Sequence, residues 1–90
     1  MIKNLKDHKS AHAYVRIGDD GRITLVSYWT EVIRIDANGW IECTGTYSAT
    51  TIRHIGWFMK EYTNKDYYFA KELFEKGIRY NLKTGEVEVL

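Results

Sequence analysis

The run Arg53-His54-Ile55-Gly56-Trp57-Phe58-Met59-Lys60-Glu61 holds the side chains of this sequence best suited to recognition. At 100° per residue, Ile52, Ile55, Phe58, Met59 and Tyr62 share one face of a helix. Thr50, Arg53, His54, Trp57, Lys60 and Glu61 share the other. A large aromatic ring is out of place on that polar side. Trp57, with Arg53 one turn before it and Lys60 one turn after, has the make-up of an interface hot spot. The same trio can stack a nucleobase on the indole and set two cations against phosphate. The competing structural explanation is a second layer that covers this side of the helix and makes Trp57 a core residue. Trp29, next to Tyr28 between two strands, and Tyr68, on the polar side of a second helix, complete the candidate binding set. They form either one patch with Trp57 or three separate residues, and isolated exposed aromatics need no special explanation.

Catalytic signals are thin. His54 can act as a base toward Cys43, or work with Glu61, in a small enzyme. However, Cys43 sits on the same side of its strand as Ile41, where a thiol behaves as a small buried hydrophobe. His8 and His12 are four residues apart, a spacing that brings two metal ligands together on a helix. Their segment leads straight into a strand and offers no third ligand, so both are expected to face solvent. Asp19 and Asp20 fall in a Gly-Asp-Asp-Gly cluster and read as turn formers. No phosphate-binding loop, nucleophile elbow or HExxH run occurs. No catalytic residue, metal or cofactor is therefore expected.

These residues must be positioned by strands, then helices, then strands. Residues 12–17 alternate with period two, Ala13, Val15 and Ile17 on one side. Strands are predicted over 22–28, 31–36 and 40–44, with Asn38-Gly39 supplying the pair that tight hairpins favour. Ser48 is placed to cap a helix running to Tyr62, and Thr63-Asn64 to end it, Asn64 in left-handed geometry. A second helix is predicted over 65–76, with Gly77 beyond its end. Strands at 78–82 and 86–90 then close on Lys83-Thr84-Gly85. The fold class expected is α+β: an antiparallel sheet, meander plus C-terminal hairpin, with both helices on one face.

Composition sets the outer bounds. The chain has 90 residues, enough for a single domain. Thirteen Lys and Arg against twelve Asp and Glu give a net charge of +1, without the basic footprint of most nucleic-acid binders. The clearest basic stretch is the N-terminal arm to about residue 10, with Lys3, Lys6 and Lys9. It is expected to be a solvated terminus, the alternative being a phosphate contact. One cysteine excludes an intrachain disulfide, and no apolar run has the length of a membrane span. A cytoplasmic protein without a membrane partner is expected, its oligomeric state left open.

The stretch from Cys43 to Tyr62 resembles a family of short phage and mobile-element proteins. In that family a Cys-x-Gly closes a strand, as Cys43-Thr44-Gly45 does here. A Tyr-Ser-x-Thr-Thr-x-x-His-Ile run, here Tyr47 to Ile55, opens a helix that ends near Phe-x-x-Glu-Tyr, here Phe58 to Tyr62. Ser27-Tyr28-Trp29-Thr30-Glu31-Val32 resembles the family's Ser-Tyr-x-Thr-x-Val run. The resemblance implies a source, not a reaction. Tyr47 would lead into the helix, Ser48 would cap it, and His54 would bond back to the first turn or to the strand before it. The function expected is non-catalytic binding to a host or phage protein, in its specific form an anti-defence inhibitor of the anti-CRISPR type. The alternative is a nucleic-acid-binding accessory domain using Arg53, Trp57, Lys60 and the N-terminal lysines.

Overall fold

A computed structural model of the chain describes residues 1–6, 8, 12–45 and 48–90. Lys9 of the basic arm, and Tyr47 at the approach to the helix, lie outside the described residues. The order of elements is β1 (Ile2–Lys3), β2 (Ala13–Ile17), β3 (Ile23–Ser27), β4 (Thr30–Ile35), β5 (Trp40–Cys43), α1 (Ala49–Tyr62), α2 (Tyr67–Lys76), β6 (Ile78–Asn81) and β7 (Val87–Val89). All described strands join one antiparallel sheet in sequence order. The fold is α+β, as the pattern predicts. The C-terminal hairpin is not a separate unit: β6 pairs with β5, and the two helices form the connection between them.

Alternation puts one row of β2, β3, β4 and β5 against the helices. Val15 pairs with Leu25, Leu25 with Ile33, and Ile33 with Cys43, so one apolar layer crosses four strands. Ile55, Phe58 and Met59 of α1 and Ala70 and Leu73 of α2 complete this core. The register of β3 on β4 shifts between Leu25 and Val26, leaving Val32 as an extra residue. Val32 and Ile33 therefore both join the core despite being neighbours. The outer face is polar and tied by ion pairs. Arg16 and Arg34 both hold Glu31, and Arg34 also reaches Glu42 at 3.2 Å. Arg34 and Arg16 keep the Glu31 carboxyl below its usual range.

Both helices begin on side-chain caps. The Ser48 hydroxyl accepts from Thr51 N at 3.2 Å, and the Asp66 carboxylate accepts from Phe69 N at 3.0 Å. Gly77 ends α2 in left-handed geometry at φ 62°. The end of α1 differs from expectation. Thr63 leaves the helix in extended geometry, and its hydroxyl donates to Met59 O at 2.6 Å. Asn64 has no left-handed role, because the threonine already satisfies the terminal carbonyl.

The N-terminal segment is not a free arm over its described residues. Ile2 and Lys3 pair with Arg16 and Val15. Leu5 is buried in the core, and Lys6 N donates to Glu61 Oε1 at 2.8 Å. The leucine, hidden among lysines, supplies the anchor. No helix among the described residues is long and apolar enough to cross a membrane.

Candidate functional site

Only two residues connect β3 to β4. Ser27 pairs with Thr30, so Tyr28 and Trp29 are the whole turn. Their φ angles are 48° and 71°, the only positive values among the described non-glycine residues. Two-residue hairpins of this hand normally use Asn-Gly, because left-handed backbone crowds a Cβ. A bulky residue held there costs about 1–3 kcal/mol. Contacts below the turn fix Tyr28. Its N–H donates to His12 O at 3.0 Å, and its ring lies 5.4 Å from that of His12 and 5.7 Å from that of His54. Trp29 has no comparable support among the described residues and is 90% exposed. Beside it opens a cavity of about 330 Å³ bordered by Ile2, His12, Tyr14 and Tyr28.

Under the turn sits a buried polar chain. Ser27 occupies the inward row of β3, where an apolar residue would be ordinary. Its hydroxyl shares a 2.8 Å hydrogen bond with His54 Nδ1 and a 3.1 Å bond with Thr51 Oγ1. Ser48 donates to Thr51 Oγ1 at 3.2 Å, so the chain reaches the helix cap. Helical spacing predicts His54 on the polar face, bonded back to the first turn or to the preceding strand. It is instead 1% exposed and bonded to β3. The Tyr28 ring of the turn and the Trp57 ring, each 5.7 Å from the imidazole, cover it. Burial, then the charges of His12, Arg53 and His8, lowers its pKa, so His54 is neutral at pH 7.

Trp57 is half-buried. His8 stacks on it with ring centroids 3.5 Å apart and planes 8° from parallel. Arg53 and Lys60, on the same helix, are exposed as expected. Tyr68 is 71% exposed on α2 and meets Tyr67 edge-on at 5.4 Å. Lys60 and Tyr68 line a cleft of about 510 Å³ that also runs past Gly56. Ring contacts join Trp57 to His8 and His54, and Tyr68 to Tyr67. The three candidate aromatics are thus separate residues; Trp29 and Tyr68 are both exposed, Trp29 the more so at 90%.

A hydroxyl and an imidazole at 2.8 Å are the parts of a nucleophile and its base. Here Ser27 and His54 are both almost wholly buried, and the hydroxyl is shared with Thr51. The geometry suits a pin between strand and helix rather than attack on a substrate. Cys43 does not approach His54 as a partner. Its thiol is buried, donates to Gly45 O at 3.4 Å, and is held protonated by a pKa raised through burial. His8 and His12 do not lie together on a helix, and no group of three metal-ligand side chains occurs among the described residues.

Two of these features left little trace in the sequence. Ser-Tyr-Trp-Thr has no glycine or asparagine to announce a left-handed turn. Ser27 does carry a signal: it continues the inward row of Ile23 and Leu25, so it had to find a buried partner. Residues 2–76 match a family of unknown function, DUF8033. The chain belongs to that family. The DUF8033 match runs from β1 through α2 and takes in the Tyr28-Trp29 turn and the buried chain beneath it, while β6 and β7 lie beyond it. Comparisons with curated proteins and with solved structures gave no match.

Proposed function

We propose that this member of DUF8033 is a non-catalytic binding domain that docks on another protein through the hairpin end carrying Trp29. One observation carries the reading. An indole 90% exposed is presented on a two-residue turn whose φ angles, 48° and 71°, disfavour both side chains that occupy it. Asn-Gly would make a less strained turn, and strain of this kind concentrates where a side chain is needed for contact. Tryptophan is also the residue type most enriched among interface hot spots. The adjoining cavity beside Tyr14 and His12 gives a partner side chain somewhere to seat.

The resemblance to phage and mobile-element proteins supports a host or phage protein as the partner, met in the host cytoplasm. Its specific form is inhibition of a host defence system, in the manner of an anti-CRISPR protein. A protein partner is favoured over nucleic acid by charge. The net charge is +1, and the arginines on the outer face of the sheet are largely committed, Arg16 and Arg34 to Glu31 and Arg79 to Glu88. Arg53 and Lys60 lie on α1 rather than around Trp29. Affinity capture from bacterial lysate tests the choice. A partner retained by the wild type after nuclease treatment, and lost with Trp29→Ala, supports the proposal. Capture abolished by nuclease favours the nucleic-acid reading.

A further inference from the structure

The sheet stops at β7 with an edge built like the strands before it. Its paired stretch runs from Glu86 to Leu90: Asn81 N donates to Glu86 O at 2.8 Å, and Leu90 N donates to Gly77 O at 2.9 Å. The β6–β7 register sets Arg79 opposite Glu88, which turns the alternate backbone groups, those of Val87 and Val89, away from β6. Among the described residues, neither valine amide donates to another segment. The side chains continue the inward row. Val87 stands opposite Tyr80, and Tyr80 opposite the buried Ile41. Tyr80 meets Phe69 of α2 edge-on at 5.1 Å, so this is the helix side of the sheet. The row is left unfinished: Val87 is 55% exposed and Val89 84%. Neither proline nor a bulge, the common means of blunting an edge, occurs in β7.

On the outer face the signs of charge alternate toward this edge. Arg34 reaches Glu42 at 3.2 Å, Arg79 borders the same hollow as these two, and Arg79 in turn bonds Glu88. Both bonds from Arg79 fall on Oε1 of Glu88, so Oε2 has no partner among the described residues. We infer that β7 is a docking edge for an extended strand of a protein partner. That strand pairs antiparallel with Val87 to Val89 and sets a lysine or arginine against Glu88, between two β-branched apolar residues. Main-chain bonds to Val87 and Val89 hold it, and its cation completes the alternation at Glu88 Oε2. A second copy of the chain fits badly. The β7-to-β7 register that uses both valines, Val87 opposite Val89, puts Glu88 against Glu88, and like charges directly opposite repel. Within β1 only Ile2 turns its backbone groups outward, because Met1 and Ile17 bond to each other. That strand matches one valine and leaves the other open. The β7 edge lies beyond the span matched by DUF8033 and works independently of Trp29.

Two cyclised β-hairpin peptides test it, one with an exposed Thr-Val-Lys-Val-Thr edge and one with Thr-Val-Glu-Val-Thr. Each is titrated into the isotope-labelled full chain, to about 2 mM, and followed by NMR. The lysine peptide should shift the amides of Val87 and Val89 and bind at least about five-fold more tightly than the glutamate peptide. Glu88→Lys should reverse that order, and Glu88→Gln, which keeps the shape, should abolish the preference. N-methylation of the peptide's two valines should remove the shifts. Val89→Pro, which deletes an outward N–H without touching a bond to β6, should weaken binding at least about five-fold. No shift at Val87 and Val89, equal affinity of the two peptides for the wild type, an order that survives in Glu88→Lys or Glu88→Gln, or binding indifferent to N-methylation or to Val89→Pro would overturn the inference. So would sedimentation of the chain alone as a dimer that Val89→Pro dissolves, since the edge would then belong to a second copy.

Discussion

Replacing Trp29 by glycine and by alanine, in parallel, turns the turn geometry into a number. Both variants delete the same indole, which buries about a tenth of its surface, so its removal alone costs only about 0.6 kcal/mol at ~25 cal/mol/Å². They differ in backbone. Alanine at φ 71° keeps a left-handed penalty of about 1–2 kcal/mol, which glycine does not have. Glycine gives back about 0.4–1 kcal/mol through the larger entropy of its unfolded chain. Trp29→Gly should therefore be the more stable of the two by about 0.5–1 kcal/mol. That corresponds to roughly 2–8 °C in Tm for a domain of this size. Urea denaturation followed by far-UV circular dichroism reads the difference directly, since both variants expose the same surface on unfolding. If alanine proves equal or better, the ordinary order of the two residues holds there, and the left-handed turn with its stored strain is refuted.

The order should reverse at Gly56. A Cβ there meets nothing within 4 Å, so Gly56→Ala should raise stability by about 0.5–1 kcal/mol in the same denaturation assay, and a loss would mean that the helix surface is covered. Ser48→Ala should lower stability by about 1 kcal/mol by removing the cap to Thr51 N, and an unchanged midpoint would mean that the helix starts elsewhere. Native Cys43 should react with a thiol reagent far more slowly than in the urea-unfolded chain, because its thiol is buried and kept protonated. Equal rates would place it at the surface.

The strands were legible because alternation records which face is buried, and Ala13, Val15, Ile41 and Cys43 all lie on the inward side. The helix ends at Ser48 and Gly77 were legible because each residue has a strong local preference for its kind of terminus. The hairpins show where local signals stop. Asn38-Gly39 does mark a turn, yet it closes as a three-residue loop, with Asp36 N donating to Trp40 O and Gly39 alone in left-handed geometry at φ 94°. The tight two-residue turn is made by Tyr28-Trp29, against the preference of both residues, because Tyr28 is held from below by His12 and His54. Tertiary contacts of that kind have no sequence period. His54 shows the same limit. Helical spacing assigns it to the polar face, and only the Tyr28 ring, arriving from a distant turn, together with the Trp57 ring of its own helix, converts that face into an interior.

The most direct test is the affinity of the captured protein partner for wild type and for Trp29→Ala, measured by titration calorimetry after nuclease treatment. Trp29→Ala should bind at least about 30-fold more weakly, equivalent to about 2 kcal/mol, while its unfolding free energy from urea denaturation stays within about 1 kcal/mol of wild type. Unchanged affinity in a folded Trp29→Ala protein would contradict a docking site at the hairpin end.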